Sequence, residues 1–395
     1  MNFIYISPNF PANHWNFCHH LKLNGLNVLG IGDADYDSLT DDLKESLTEY
    51  YKVSSLENFD EVFRAVAYFT FRYGKIDWLE SNNEYWLERD AKLRQEFHIT
   101  SGFQPEDMDN VKFKSQMKKN YIKAGIPVAR YHMVDTYEGC KAFTDEVGYP
   151  VIAKPDNGVG ASDTHKLKSD EDLKHFFDTK FDVEYIMEEF ITGEVQTYDA
   201  IINSKGEALF ENGNVTICDL MEATNLNGNS AFYERSVLPQ EILDAGRAVV
   251  KAFGVKSRMV HLEFFRLTKD QHLGKKGDIV ALEVNMRPSG GISPTMMNWA
   301  NGTDVYKIWA DMIAFDHSEK KCDYKKVCIF ASRRDGRQFC MSMDEVREKY
   351  ADHLMQEGRV EEALSGAMAN YMFIAVFDTE EEARAFTLDV LREVA

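Results

Sequence analysis

The sequence predicts an α/β unit that passes into an α+β one, on three observations. The first part of the chain runs strand, helix, strand, the rhythm of an open parallel sheet. Farther on, Arg258–Leu267 and Asp278–Asn285 are strand-like runs joined by a polar turn, Lys269–Gly277, which pairs them antiparallel. From about Asp316 to the end, two strands alternate with two helices in a small α+β unit.

Composition sets the outer bounds. A chain of 395 residues with 44% hydrophobic and 28% charged residues has room for two or three domains and a sizeable core. A formal charge of −20 argues against nucleic-acid and anionic-membrane partners, which require a basic surface. The six cysteines show no C-x-x-C spacing and read as reduced thiols. The first residues lack a basic segment and are interrupted by Pro8 and Pro11, so no signal peptide is expected, and no apolar run is long enough for a membrane helix. The expected location is cytoplasmic.

Taken in order, Asn2–Ser7 is a strand, Asn13–Asn24 a helix ended by Gly25, and Leu26–Gly30 a second strand. Helix Glu57–Tyr73, strand Lys75–Glu80 and helix Glu84–Phe97 follow. His14, His19 and His20 lack an acidic cluster and read as ordinary helix residues. From Val111 the chain turns basic, and Lys112, Lys114, Lys118, Lys119 and Lys123 fall on one helix ending at Gly125. In so acidic a chain that helix points to an anion, although a solvated face accounts for most of the five. After helix Glu138–Val147, the strand Tyr149–Lys154 ends in lysine and runs into Pro155–Ser162, rich in glycine. Such a turn lets backbone N–H groups approach phosphate oxygens while the lysine adds a point charge. Helix Asp170–Phe177, strands Glu184–Phe190 and Gln196–Ile202, the turn Asn203–Gly206 and helix Glu241–Phe253 lead to the antiparallel pair.

That pair carries unusual chemistry. On a strand, Glu283, Asn285 and Arg287 project from one face. A carboxylate and an amide oxygen suit a hard divalent cation, and the arginine suits a phosphate or carboxylate. Across the ladder Glu263 faces Glu283 in one register. Two carboxylates about 4 Å apart repel by roughly 4 kcal/mol at an effective dielectric near 20, so a bound cation is the economical explanation. A register shifted by one residue sends them to opposite faces instead.

Together the motifs resemble those of the ATP-grasp superfamily, closest to its carbamoyl-phosphate-synthase-like and L-amino-acid-ligase-like branch. They are K-S-Q-M-K at 114–118 with A-G-I-P at 124–127, Y-P-V-I-A-K-P-D-N-G-V-G-A-S at 149–162 and M-E-E-F-I-T-G-E at 187–194. H-L-E-F-F at 261–265 and L-E-V-N-M-R-P-S-G-G at 282–291 complete the series. The resemblance implies an N-terminal Rossmann-like domain over 1–107 and an ATP-grasp domain over 108–315, with a lid at about 126–197. The remaining residues, 316–395, form an α+β subdomain closing the unit.

Residue by residue, the resemblance places Lys114 and Lys154 on the ATP phosphates, under a loop with Gly158, Gly160 and Ser162. Glu188, Glu189, Phe190 and Ile191 line the adenine pocket, partly through backbone groups. Glu194 approaches the ribose, although Val195 and Gln196 depart from the usual pattern beside it. Glu263, Glu283 and Asn285 hold one or two Mg²⁺ ions, with Mn²⁺ as the alternative metal. Arg287 and Lys154 act on the reacting phosphoryl group. Met286 and Ser289 also depart from common family residues, next to the acceptor pocket.

The implied reaction joins a small-molecule carboxylate, such as an amino acid, to an amine through an acyl phosphate, releasing ADP and phosphate. The carboxylate and the ATP phosphate it attacks are both anionic, which accounts for lysines, arginine and Mg²⁺ in one place. A carboxylase or carbamoyl-phosphate-type enzyme and a non-catalytic nucleotide-binding protein are the alternatives. A homodimer is the assembly common among relatives.

Overall fold

The structure is a computed structural model and describes residues 1–158, 163–179, 182–218 and 227–394. Its N-terminal unit is a four-stranded parallel sheet of β1 (Asn2–Ile6), β2 (Asn27–Gly32), β3 (Glu49–Lys52) and β4 (Trp78–Glu80), ordered β3-β2-β1-β4. Both faces are apolar, as a covered parallel sheet requires. Phe3 and Tyr5 pack with Phe17, Cys18 and Leu21 of helix Trp15–Leu23. Ile4 and Ile6 pack on the other side with Val62, Val66 and Phe69 of helix Phe59–Tyr73. The strand Glu49–Lys52 had no signal in the sequence, because EYYK is only half-buried and lacks an apolar run.

A second sheet lies within residues 131–189, inside the span expected to act as the lid. Strands β5 (Tyr131–Met133), β6 (Val151–Pro155), β7 (His165–Leu167) and β8 (Tyr185–Glu189) run antiparallel in the order β5-β8-β6-β7. Val151, Ala153 and Met187 face helices Tyr137–Val147 and Asp170–Asp178 through Cys140, Phe143, Leu173 and Phe176. By strand alternation Lys154 and Glu188 face the other way, out of the lid and towards the rest of the molecule.

The largest sheet is antiparallel, with strand order β13-β12-β9-β10-β11-β14-β16-β15. It comprises β9 (Gly193–Ile202), β10 (Ala208–Thr216), β11 (Ser230–Arg235), β12 (Arg258–Leu267), β13 (Ile279–Asn285), β14 (Val327–Arg333), β15 (Leu354–Arg359) and β16 (Tyr371–Phe377). The C-terminal strands thus extend the same sheet as the antiparallel pair, with β14 on β11. Helix Gln240–Phe253 covers one face. At its centre Gly246 sits where a Cβ would lie 2.1 Å from the Tyr198 ring, which explains a glycine in a helix interior. Helix Val305–Phe315, apolar on nearly every side, packs Trp309 and Tyr306 against Phe3 and Phe17, joining the large sheet to the N-terminal unit.

One expectation is corrected here. The basic stretch is two helices, Met108–Lys112 and Lys114–Lys123, broken at an extended Phe113. The break buries Lys112, Lys114 and Lys118, leaving Lys119 and Lys123 in solvent. Among the described residues, no helix is long and apolar enough to cross a membrane.

Candidate active site

The site begins with the break at Phe113, which makes Lys114 the first residue of its helix. Asp156, just past the lid strand β6, receives that helix end. Its carboxylate accepts from Ser115 N and Ser115 Oγ, both at 2.7 Å, and its carbonyl accepts from Lys114 N at 3.0 Å. An anion at a helix N-terminus satisfies free N–H groups and complements the dipole. The contact ties the lysine helix to the lid.

Lys154 and Glu188 lie on adjacent lid strands and meet at 2.8 Å, and Lys118 Nζ reaches the other Glu188 oxygen at 2.7 Å. Burial alone would raise the Glu188 pKa, but the two ammonium groups outweigh it and hold it down to about 2. Lys154 is charged for the reciprocal reason: burial opposes its charge, and Glu188 and Glu283 more than compensate. The pair has a consequence for pH. A carboxyl lowered from about 4.3 unfolded to about 2 folded stabilises the folded state by roughly 3 kcal/mol above the unfolded value. That contribution disappears as pH falls towards 2. Glu188→Gln should therefore be less stable than the parent at pH 7, with the gap narrowing below pH 4. Urea midpoints measured across that range test it, and a gap independent of pH would contradict it.

On the large sheet, β12 and β13 pair with Glu263 directly opposite Glu283, the register that places both carboxylates on one face. The ladder is irregular immediately after Glu263. Each carboxylate has a cationic neighbour. Lys114 Nζ lies 3.0 Å from Glu283 Oε1 and also donates to the Gly158 carbonyl at 3.0 Å. His261 Nε2 lies 3.2 Å from Glu263, and its Nδ1 lies 2.7 Å from Asp199. Burial would keep His261 neutral, yet Asp199 and Glu263 carry it to about 10, so it is a cation. Asn285 Nδ2 donates to Glu263 Oε1 at 3.3 Å, and Arg287 Nη2 donates to Asn285 Oδ1 at 3.2 Å.

Seven of the residues singled out in the sequence are thus linked by short polar contacts or mutual electrostatics: Lys114, Lys154, Glu188, Glu263, Glu283, Asn285 and Arg287. Two carboxylates facing each other beside an amide oxygen are hard donors at one point of a sheet, a set that fits Mg²⁺. Lysine and arginine around them fit phosphate oxygens.

Other expectations meet a different geometry. Glu189 turns to the opposite face of β8, where Arg130 grips it at 3.1 and 2.7 Å, so its side chain does not line the pocket. Glu194 lies on the face of β9 away from Glu263, and its carboxylate takes Arg384 at 2.9 Å and Gln196 at 2.6 Å. Alternation puts Val195 on the Glu263 face instead, so the Glu194 side chain faces away from any ribose bound beside that cluster. Ile191 packs with Ala129, Leu267 and Val280 into an apolar patch where lid and large sheet join, and Lys166 sits 3.9 Å above the Phe190 ring. Gly160 and Ser162 lie outside the described residues.

Lys118, His261, Asp199 and Asp156 are site residues that the sequence reading missed. For His261 a signal existed, since it precedes Glu263 by two residues and must share its face. Asp199 lies on β9 and Asp156 just past β6, and nothing beside either announces the partner it meets.

Comparison with known proteins follows the same outline. Residues 109–291 match the family model described as the ATP-grasp domain. Over 241 residues the chain is 27% identical to an L-arginine-specific L-amino acid ligase of Bacillus subtilis, covering 58% of this chain and 56% of that protein. An alanine–anticapsin ligase of Bacillus subtilis is 22% identical over 325 residues, 75% of this chain and 66% of the relative. The chain thus spans a little over half to two thirds of these relatives' lengths. An L-amino acid ligase structure from Bacillus licheniformis superposes with a TM-score of 0.70 at 15% identity, covering 100% of this chain and 98% of that one. A biotin carboxylase domain from Hydrogenobacter thermophilus, solved with MgADP, gives 0.69 at 15% identity, covering 99% and 90%.

Proposed function

We propose, from the premise that this chain is an ATP-grasp protein, that it is a carboxylate–amine ligase acting on small molecules. The observation that carries the reading is Glu263 in register with Glu283, ringed by Lys114, Lys154, Asn285 and Arg287. The likeness to amino acid ligases supports an amino acid as a substrate.

In the first step a substrate carboxylate oxygen attacks the γ-phosphorus of ATP. A P–O bond forms, the bond to ADP breaks, and an acyl phosphate results. In the second step the amine nitrogen attacks the acyl carbon, the C–O bond to phosphate breaks, and the nitrogen loses a proton. Mg²⁺ held by Glu263, Glu283 and Asn285 would offset phosphate charge. Lys114 and Lys154 bind phosphate oxygens, leaving their present partners Glu283 and Glu188. Arg287 steadies the oxygens of the transferred group. The lid carrying Lys154 excludes water, which would hydrolyse the acyl phosphate.

The test is phosphate release from Mg-ATP against a panel of amino acids, other carboxylates, amines and bicarbonate. Stimulation by one carboxylate–amine pair, with the amide found by mass spectrometry, is the expected result. Stimulation by bicarbonate alone would replace the ligase with a carboxylase, and ATP binding without turnover would leave a binding protein.

A further inference from the structure

The face of the large sheet that carries the paired carboxylates continues, along the same strands, into a surface without charge. On β12, Glu263, Phe265 and Leu267 share that face, and Val195 on β9 stands directly opposite Phe265. Leu267 lies in the apolar patch with Ile191, Ala129 and Val280, and Phe265 packs against its edge. At about 3.3 Å per residue, the stretch from Glu263 to Leu267 spans about 13 Å. The carboxylate end, which fits Mg²⁺, and the apolar patch, which fits a flat base, are therefore joined by a strip floored by Val195 and Phe265. Both residues are half-buried and present surface there.

The acidic and hydroxyl groups nearest that strip are committed elsewhere. The Glu194 carboxylate, one residue before Val195, is on the reverse face, where it holds Arg384 of helix Glu380–Leu391 at 2.9 Å and Gln196 at 2.6 Å. Strands β9 and β12 pair without a break over ten residues, so the pleat keeps it there. Thr197, two residues on, is buried and donates its hydroxyl to Asp199. From β8, Glu188 has its oxygens on Lys118 and Lys154.

A nucleotide spanning the two ends would carry its sugar across Val195 and Phe265. A valine and a phenylalanine offer a sugar hydroxyl no acceptor, so the hydroxyl adds nothing to affinity at that point. We infer that the nucleotide site does not read the ribose hydroxyls, and that it takes 2′-deoxy and 2′,3′-dideoxy nucleotides as readily as ribonucleotides. Val195 is the residue that sets this tolerance. The inference rests on the ATP reading of the site and is independent of which carboxylate and amine are joined.

The test is calorimetric titration of the protein, in Mg²⁺, with ADP, 2′-deoxy-ADP and 2′,3′-dideoxy-ADP. The three dissociation constants should agree within about threefold. A hydrogen bond to a charged acceptor is worth about tenfold or more in affinity, so Val195→Glu should bind ADP at least about tenfold more tightly than the dideoxy nucleotide. Val195→Gln adds an acceptor without a second charge near Glu263. It should show a smaller preference of the same sign, and it decides if Val195→Glu does not fold. A parent that prefers ADP by more than about threefold overturns the inference and leaves the ligase reading standing, because neither carboxylate nor amine enters the measurement. Folded variants that bind all three nucleotides alike place the sugar elsewhere and overturn it as well. Failure of every nucleotide to bind overturns the inference and the ATP reading together.

Discussion

Glu283→Ala is expected to lower ATP-dependent turnover by at least about a thousandfold, a loss of about 4 kcal/mol of transition-state stabilisation. Two effects add. The substitution removes one of the two facing carboxylates that fit a divalent cation, and it strips Lys114 of its 3.0 Å partner. A metal-assisted phosphoryl transfer depends on charge neutralisation in the transition state more than in the bound ground state. The fall should therefore appear in kcat, with a smaller change in ATP affinity. Steady-state kinetics and nucleotide titration, on protein with a parental circular dichroism spectrum, measure both. A variant that keeps a tenth of parental kcat would remove Glu283 from the chemistry.

Arg258→Ala is expected to cost about 3–5 kcal/mol of stability, the range for breaking a buried ion pair. Arg258 and Arg94 share the Glu80 carboxylate at 2.6 and 3.0 Å, and all three side chains are buried. Arg258 also donates to the Met286 carbonyl at 2.7 Å, one residue before Arg287. Its loss leaves Glu80 under-compensated between the N-terminal sheet and the large sheet, and frees the segment that aims Arg287. Urea unfolding should show the shifted midpoint, and kcat/KM should fall with it. Lys275→Ala removes the exposed pair with Asp270 and should leave the urea midpoint nearly unchanged. Equal effects from the two substitutions would contradict the burial argument.

The sequence was most readable where chemistry and strand period coincide. Glu263 and Glu283 could be placed face to face in one of two registers because a polar turn joins two runs of period two, and the structure adopts that register. The order of the glycine-rich, lysine-ending and acidic motifs outlined the fold, since each motif is a local string. Reading failed where the deciding contact is distant. Nothing beside Lys118 announces that it closes on Glu188 from another element, and nothing near Ser115 announces Asp156. Glu194 was placed by motif alone, and the pleat turned it to the other face, towards Arg384. Strands β10 and β11 were missed because Asn212, Asn214 and Glu234 interrupt their apolar pattern. Those three form a buried network, with Asn212 Nδ2 and Asn214 Nδ2 donating to Glu234 at 2.6 and 3.2 Å. Such residues look like loop until their partners are known.

The central claim is that a carboxylate oxygen of the substrate attacks the γ-phosphorus of ATP. The most direct measurement labels that carboxylate with ¹⁸O and follows the label by mass spectrometry during turnover with an amine. One ¹⁸O per released phosphate, with the amide carbonyl keeping the other, is the predicted result. Unlabelled phosphate alongside amide formation would mean that the carboxylate is activated by another route, and the account of Lys114, Lys154 and Arg287 would fall with it.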